Sequence, residues 1–546
     1  MKKEIDSKVK SSKLKLLGAT AILAGTLLAS NILGLVRDRI LVAIFPTTVL
    51  DTYLAAFRIP DFIYNIFILG ALGSAFLPVF ASYIAKNKKE EAWRIANTVI
   101  NFGFILISLI SVALFFLAPV IMPYIVPGFD LLKLDATINL TRLMLLAPIF
   151  LGISGIFSGI LNSYSRFTVA AFSPVFYNIG IIVGAKYLSL TWGIYGVGIG
   201  VLAGAFLHMA IQIPSAVKVG FRWQPVLALG HEAVLKIGKL MVPRAIGLLS
   251  MQISLVVSTL IASTLKAGSI TVFNLANNIQ TVPMVIFGLA YATTLFPALA
   301  RSAAVGNTQK FVNDLTWGIR QILFWIIPST IGLILLRAQI VRLVFGVGNF
   351  TFVDTKLTAA LVAVLAVSLF AQATVPLLAR AFYAIQDTKT PVLIGITSMV
   401  VNIGLAILLT QPWFTQMYGW FFRVPLDGRV VGLGLAFSVG AILNLFLLFA
   451  WLKGKIGGLD GLSKMFLPIT KIIFSSLVMG GAIYLTIKIL APFVNPDYPA
   501  FGLLMQLVGS IAVGFIVYFG TALWVGCEEV KGAKLIFKRF KVREND

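Results

Sequence analysis

Long runs of apolar residues alternate along this chain with short polar segments. Each run reaches about 20 residues or more, the length that an α-helix needs to cross the hydrocarbon core of a bilayer. The runs cover residues 16–45, 52–84, 95–122, 135–162, 169–190, 193–216, 234–265, 270–300, 312–336, 356–385, 391–411, 430–452, 466–491 and 501–525. The pattern predicts an all-α polytopic membrane protein with about 14 transmembrane helices.

Several of these runs exceed the minimum length for a span, so we expect tilted or bent helices. Proline removes a backbone donor inside a helix and favours a bend at its position. The internal prolines that mark the expected bends are Pro78, Pro148, Pro243, Pro283, Pro297 and Pro376. The chain also has 47 glycines, which in membrane proteins often lie where helices approach closely.

Composition and charge agree with a membrane protein. Hydrophobic residues make up 59% of the 546 residues and charged residues 12%, and mean hydropathy is +0.96. The net charge of +24 does not indicate nucleic-acid binding, because the basic residues concentrate at both termini and in alternate loops. This distribution follows the positive-inside rule and places both termini in the cytoplasm.

A weak internal repeat suggests how the spans are grouped. Phe76–Ala81 resembles Leu295–Ala300 at an offset of 219 residues, and the same offset carries Tyr164 onto Tyr383. We interpret the chain as two six-helix lobes, related by a pseudo-twofold axis along the membrane normal, plus two C-terminal helices. The predicted divisions are a cytoplasmic tail at 1–15, lobes at 16–222 and 223–455, two further spans at 456–526, and a basic cytoplasmic tail at 527–546.

Charged residues occur inside the first two spans, where the surrounding sequence predicts hydrocarbon. Arg37 and Asp38 lie in the first, Asp51 opens the second, and Arg58 follows seven residues later on the same predicted helix face. Arg244 lies near the start of the seventh span. A charge at the bilayer centre costs at least about 2.5–3.5 kcal/mol, so these residues indicate a polar cavity or buried partners.

Arginine suits a phosphorylated ligand, because its planar guanidinium group binds phosphate through two parallel hydrogen bonds and stays charged. Arg37, Arg58 and Arg244 between two lobes would bind an anionic headgroup, with Asp38 and Asp51 balancing their charge or taking up a coupling ion. Amides in the eighth span would bind sugar or peptide groups. These amides are Asn274, Asn277, Asn278 and Gln280.

Structural alternatives exist for each of these residues. Arg37 alternatively pairs only with Asp38 or Asp51 and locks the first two spans together. Arg58 alternatively lies near the interface and extends its charge toward water, and Arg244 has the same alternative. The amides of the eighth span alternatively act only as hydrogen-bonding contacts between helices.

No catalytic or cofactor motif accompanies these charges. The sequence contains no GxxxxGK[ST] nucleotide loop, no GxSxG and no HExxH. One cysteine, Cys527, and two distant histidines, His208 and His231, give no metal-ligand spacing. Asp387 or Thr388 is predicted to cap a helix that follows, with Pro391 near its first turn. We therefore expect a transporter without cofactor or enzymatic activity.

Taken together, several motifs resemble the MurJ (MviN) family of lipid II flippases within the MOP exporter superfamily. They are Leu33–Asp38, Asp51–Tyr53, Ala56–Pro60, Ala75–Pro78, Gln252–Ser254, Ala262–Ser263, Gly268–Ser269 and Phe382–Val392. The resemblance covers nearly the whole chain, and it implies fourteen helices with two six-helix lobes.

The resemblance carries the family's cavity arginine and its adjacent aspartate onto Arg37 and Asp38, and the aspartate that opens the second helix onto Asp51. Other positions depart from the family pattern, because expected arginines are replaced here. The departures are Asn31, Tyr64 and Asn278 in place of arginines, and Leu69 in place of a glutamate. Arg58 and Arg244 are the candidate replacements for the missing cations.

The resemblance implies a flippase that moves lipid II, the undecaprenyl-pyrophosphate-linked disaccharide-peptide of peptidoglycan synthesis, across the bacterial cytoplasmic membrane by alternating access. Membrane lipids and the cell-wall synthesis machinery are the other expected partners. The alternatives are a flippase for another polyprenyl-linked glycan, a drug or cation antiporter, and a transport-inactive scaffold for cell-wall assembly. The intramembrane arginines argue against a cation exporter, which needs carboxylates without arginine partners.

Overall fold

The computed structural model describes residues 26, 29–66, 73–422, 428–456, 465–494 and 499–530, and among these no strand occurs. Within those ranges the side chains of 73–74, 242–244, 246–248, 250–251, 418–422 and 499 are not described. The chain divides into two compact units, Met1–Thr271 and Val272–Asp546. The predicted all-α class is confirmed.

The first described helix of the first unit carries Arg37 and Asp38. Its helices are α1 (29–44), α2 (Thr47–Ala56), α3 (Arg58–Ile63), α4 (Gly73–Ala85), α5 (Lys89–Ile125), α6 (Leu131–Met144), α7 (Ala147–Ser163), α8 (Phe167–Val183), α9 (Ser189–Trp192), α10 (Ile194–Ala210), α11 (Ile213–Lys218) and α12 (Glu232–Ser263). A π-helical turn, Gly184–Leu188, connects α8 to α9.

The second unit follows with a similar order of long and short helices. They are α13 (Ser269–Pro283), which begins in the first unit, α14 (Ala290–Ala304), α15 (Thr308–Phe345), α16 (Phe352–Val367), α17 (Leu369–Ala384), α18 (Lys389–Leu409), α19 (Pro412–Phe422), α20 (Val430–Ile456), α21 (Phe466–Leu490) and α22 (Pro499–Trp524). A π-helical segment, Met284–Leu289, separates α13 from α14.

Ten helices in the described part of the chain are long and apolar enough to cross a membrane, and the bent pair α16–α17 would make eleven. The predicted count of fourteen is therefore not confirmed. Three predicted spans, 16–45, 52–84 and 234–265, include residues or side chains outside the described set. Elsewhere the agreement is close: the predicted span 430–452 is α20, Val430–Ile456.

The predicted bends are only partly found, because proline alone does not decide where a packed helix breaks. Pro148 begins α7 after a break in the fourth span, and Pro283 precedes the π-helical segment. In contrast, Pro376 lies inside α17, and the 45° bend of that span occurs at Ser368 instead. Pro78 and Pro297 also lie inside continuous helices, and the side chain of Pro243 is outside the described residues.

Matching backbone features in the two units support the internal repeat. Asn87 (φ 59°) precedes α5, and Gly306 (φ 66°), 219 residues later, precedes α15. Ser165 (φ 58°) follows α7, and Gln386 (φ 61°) follows α17. Left-handed residues are uncommon outside glycine, so their recurrence at equivalent turns is informative. The lobe boundaries themselves stay a prediction, since α12 packs against α3, α4 and α5 within the first unit.

Asp387 caps α18, as predicted. Its Oδ1 accepts the backbone N–H of Lys389 and of Thr390 at 3.1 and 3.0 Å, and its Oδ2 accepts the ammonium of Lys455. Burial opposes ionisation, but the bonds from Lys455 and Thr390 outweigh it and lower the pKa of Asp387 to about 2. Because the folded pKa lies below its unfolded value, the stabilisation is present above about pH 4 and is lost as pH falls toward about 2.

A stripe of glycines lets α8 and its π-helical turn contact α10 backbone to backbone. A Cβ atom on Gly180 would lie 2.3 Å from the Cα of Gly204, and one on Gly184 would lie 2.5 Å from the Cα of Gly200. Real Cβ atoms do not approach backbone so closely, so any side chain here must push the helices apart. Close packing of small residues is a main source of helix association in membranes.

We expect Gly184→Ala to lower the free energy of unfolding by about 1–3 kcal/mol, the usual cost of overpacking. Gly238→Ala on α12 is the matched control, because a Cβ there meets nothing within 4 Å. The control should be neutral or slightly stabilising, since alanine is the better helix former. Thermal unfolding of both variants in detergent measures the difference, and equal midpoints would contradict the close-packing argument.

Candidate functional site

Arg37, whose charge the sequence predicts inside the membrane, makes hydrogen bonds to two other residues of the first unit. This arginine lies on α1, and its Nε and Nη2 donate to Asp38 Oδ1 at 2.9 and 2.7 Å. Its Nη1 donates to Asn178 Oδ1 on α8 at 3.1 Å. Asn178 is itself oriented, because its Nδ2 donates to the backbone oxygen of Pro174 at 3.0 Å. The guanidinium group is therefore held in one orientation.

These contacts decide between the structural alternatives for Arg37. Its ionic partner is Asp38, as one alternative predicted, and the helix that it joins to α1 is α8 rather than the second span. A guanidinium group has five N–H donors, and the three bonds leave one N–H on each Nη atom without a partner among the described residues. The Arg37 side chain is 23% exposed, so it is not fully enclosed by the described residues.

Arg58 begins α3, immediately after the second span breaks at Phe57. Its Nε donates to Thr259 Oγ1 on α12 at 2.6 Å, and Thr259 in turn donates to Leu255 O at 2.9 Å. Arg58 therefore connects α3 to α12 within the first unit. The predicted position of Arg58 above Asp51 on one helix face stays a prediction, since Phe57, the residue between α2 and α3, keeps helical backbone angles.

Asp51 is buried in the middle of α2, and two of its four partners are backbone N–H groups. Its Oδ2 accepts the N–H of Gly268 at 2.6 Å, and its Oδ1 accepts the N–H and the hydroxyl of Thr271 at 2.9 and 2.8 Å. Lys133 supplies the only ionic partner among the described residues, at 3.4 Å. The carboxylate thus caps the first turn of α13, and it pairs with neither Arg37 nor Arg58.

The predicted site lacked five residues that lie near the arginines, one of which is Asn178. Asp61 lies within electrostatic range of both Arg58 and Arg37, and its carboxylate accepts no hydrogen bond from the described residues. Three tyrosines complete this group, which we call the Arg37 cluster: Arg37, Asp38, Tyr53, Arg58, Asp61, Tyr64, Tyr177 and Asn178. The spacing of Arg58 and Asp61, three residues apart on one helix face, was a signal for Asp61. Tyr53 and Tyr64 stood at motif positions but were not assigned to the site, and nothing in the sequence marked Tyr177.

Arg244 lies on α12, but its side chain is outside the described residues, so its predicted role is not assessed. The amides of the eighth span belong to the second unit. There Gln280 donates to Asn277, Gln372 donates to Gln280 at 3.2 Å and to Ser368 at 2.9 Å, and these bonds join α13 to α17. Of these bonds, the one between Gln372 and Gln280 connects the two helices, so the structure supports the interpretation of Gln280 as a contact between helices.

Comparison with known proteins identifies the family. The profile of the family described as lipid II flippase MurJ matches residues 41–503. A probable lipid II flippase MurJ from Vibrio cholerae is 30% identical over 530 residues, covering 94% of this chain and 96% of that protein. A lipid II flippase MurJ from Burkholderia cenocepacia is 28% identical over 454 residues, covering 81% of this chain and 84% of that protein.

Solved structures give the same result at the level of the fold. A structure titled lipid II flippase MurJ, inward closed conformation, matches with a TM-score of 0.74 and 26% identity, covering 92% of this chain and 98% of that one. An inward-facing multidrug resistance MATE transporter of the MOP superfamily matches with a TM-score of 0.65 and 19% identity, covering 79% and 96%. This multi-pass membrane protein belongs to the lipid II flippase MurJ family.

Proposed function

We propose that this chain is a lipid II flippase. It would carry the undecaprenyl-pyrophosphate-linked disaccharide-peptide from the cytoplasmic to the outer leaflet of the bacterial cytoplasmic membrane, and so supply peptidoglycan synthesis. The relatives named for this activity cover nearly the whole chain. A transporter without enzymatic activity also fits the Arg37 cluster, which holds fixed cations in a membrane-embedded position.

The orientation of Arg37 is the observation that carries the proposal. Asp38 and Asn178 fix the guanidinium group while leaving one N–H on each Nη atom without a partner among the described residues. Two parallel donors on a planar cation match the oxygens of a pyrophosphate group. Asp38 also offsets the cost of keeping the cation in the membrane between transport cycles. Arg58 and Arg244 are the further residues that we assign to the headgroup.

Alternating access would use the predicted division of the chain into lobes at 16–222 and 223–455. In this proposal Asp51 holds the first turn of α13 closed on the outer side, rather than binding the headgroup itself. Both tails, at 1–15 and 527–546, would lie in the cytoplasm, where their basic residues are favoured. The membrane potential or an ion gradient would reset the cycle, and Asp38 or Asp61 would take up a coupling ion.

An apolar groove in the second unit suits the lipid tail. Its volume is about 530 Å³, and α15, α17, α20 and α21 form its walls. Its lining is almost entirely aliphatic and aromatic, with Thr330 and Thr374 as the exceptions. Lipid tails and this groove are equally apolar, so the hydrophobic effect does not favour moving an isoprenoid chain into the groove. Its binding would depend on close packing contacts with the lining residues.

Reconstituted protein provides the direct test. Proteoliposomes should move fluorescent lipid II between leaflets, detected as loss of protection from an impermeant reductant, while protein-free vesicles should not. A polyprenyl-pyrophosphate carrying a different glycan is the second substrate, because Asn31, Tyr64 and Asn278 depart from the family's arginines. If only the second lipid moves, lipid II is not the substrate and the other polyprenyl-linked glycan is. If neither lipid moves, the result favours the transport-inactive scaffold.

A further inference from the structure

The segment that joins α11 to α12 is extended and tied to the surface of α5. We call residues 219–231 the interfacial strap; from 221 to 228 it contains neither helix nor strand. Asn97 donates to Arg222 O and accepts from Gln224 N at 3.0 and 2.9 Å. Asn101 donates to Gln224 O and to Val226 O at 2.8 and 3.0 Å. These bonds hold the backbone of the strap, so its side chains are left for other contacts.

One end of the strap is anchored by aromatic packing. Phe221 is buried, and its ring lies 5.2 Å from that of Phe157 and 6.1 Å from that of Trp93, both centroid to centroid. Gly220 precedes it with φ +104°, a conformation that other residues rarely adopt. The chain therefore turns sharply after α11 and inserts Phe221 before it runs along α5.

The other side chains of the strap face outward and are largely apolar. Trp223 is 65% exposed, Leu227 51% and Leu229 44%. Four exposed cations lie in the strap or close to it. Between residues 218 and 239 the only carboxylate is Glu232. The cations are Lys218, Arg222, Lys236 and Lys239. Exposed apolar side chains beside a net positive charge are typical of segments that lie in the interface of an anionic membrane.

The position of the strap along α5 places the strap at the depth of the membrane interface. Lys88, Glu91 and Arg94 mark the polar start of α5, whereas exposed apolar side chains begin at Phe102 and continue to Phe116. Asn101 stands at this boundary, and it accepts the indole N–H of Trp223 at 3.0 Å. An aromatic ring with its polar edge bonded and its apolar face exposed suits the boundary between headgroups and acyl chains.

We propose that the interfacial strap binds the anionic phospholipid surface of the leaflet at this end of α5, which the charge distribution makes the cytoplasmic one. Trp223, Leu227 and Leu229 enter the boundary of the acyl chains, and the four cations contact lipid phosphates. The strap leads directly into α12, so its attachment fixes the depth at which α12 enters the bilayer. This binding surface is separate from the Arg37 cluster and does not depend on the transported substrate.

The test uses full-length protein with one environment-sensitive label. Cys527 is the only cysteine, so Cys527→Ser gives a background in which Leu227→Cys carries an NBD group. The protein is reconstituted into vesicles of phosphatidylcholine alone or with phosphatidylglycerol. We expect a blue-shifted emission that is quenched by lipids spin-labelled near the headgroup and protected from iodide, with the stronger effect in the anionic vesicles.

Charge variants separate lipid binding from simple burial of the label. Arg222→Gln with Lys236→Gln should remove the difference between the two vesicle types, whereas Arg301→Gln with Lys310→Gln, two exposed cations of the second unit, should leave it unchanged. Equal quenching by iodide in both vesicle types would overturn the proposal. A label that is buried but indifferent to anionic lipid and to the strap's cations would also overturn it. The measurement needs no lipid II, so it stands or falls independently of the proposed transport.

Discussion

Replacing Arg37 with alanine is expected to reduce lipid II transport by roughly a hundredfold or more, while protein amounts in the membrane stay measurable. Two charge-assisted hydrogen bonds to the headgroup contribute about 1.5–3 kcal/mol each, and both are lost with the guanidinium group. The variant also removes the ion pair between Arg37 and Asp38, which adds a cost in stability. Rates of flipping in proteoliposomes give the size of the effect.

Arg37→Lys should recover only part of the activity. Lysine supplies the charge, but its ammonium group cannot contact Asp38 and Asn178 and still present two parallel donors. Asn178→Ala keeps the arginine and removes one of its supports, so we expect a smaller loss, about tenfold, as for one misplaced charge-assisted bond. A graded series with alanine worst, lysine intermediate and Asn178→Ala mildest would separate headgroup binding from a purely structural role.

Arg142 provides the matched control for this series. It is also an arginine of the first unit, but its Nε donates to the backbone oxygen of Phe115 at 3.1 Å, away from the Arg37 cluster. Arg142→Ala should therefore transport lipid II at nearly the normal rate. If Arg37→Ala also transports normally, in vesicles and in a flippase-depleted bacterium, the central role assigned to Arg37 is wrong. Thermal unfolding of each variant in detergent identifies losses that come only from misfolding.

The positions of the helices could be predicted because bilayer thickness sets a length that apolar runs must reach. The predicted span 466–491 corresponds to α21, Phe466–Leu490, and the span 391–411 to α18, Lys389–Leu409. Only some of the breaks inside spans could be predicted from the prolines, because the others depend on packing. The π-helical turn at Gly184–Leu188, for example, lies where Gly184 contacts Gly200 of another helix.

The charged residues of the candidate site could be predicted from the sequence, but most of their partners could not. The cost of an intramembrane charge pointed to Arg37 and Asp38, which are neighbours in sequence and bond to each other. Their other partners were not accessible to such reasoning: Asn178 is 141 residues from Arg37, and Thr259 is 201 residues from Arg58. For Asp51 the charge suggested a role in ligand binding. Two of its four partners are instead backbone N–H groups, which no side-chain pattern reveals.

Replacing Asp51 with alanine is expected to destabilise the protein by about 3–5 kcal/mol, the cost of leaving a buried charge without its partner. The variant removes the acceptor for the N–H groups of Gly268 and Thr271, and it leaves Lys133, 17% exposed, without its carboxylate. Asp130→Ala is the matched control. Asp130 also caps a helix, through the N–H of Lys133, but it is exposed, so its loss should cost only about 1 kcal/mol.

A second substitution tests whether the unpaired cation dominates that loss. Lys133→Met in the Asp51→Ala background should restore part of the stability, because the buried charge is then gone while the unsatisfied N–H groups remain. The proposed role of Asp51 in holding the first turn of α13 is tested by a separate measurement, the labelling rate of a cysteine in that turn. Ser269 is 4% exposed, and a cysteine there, in a Cys527→Ser background, should react slowly with an impermeant maleimide. Asp51→Ala should accelerate the reaction; unchanged labelling together with an unchanged unfolding midpoint would show that Asp51 does not hold the first turn of α13 in place.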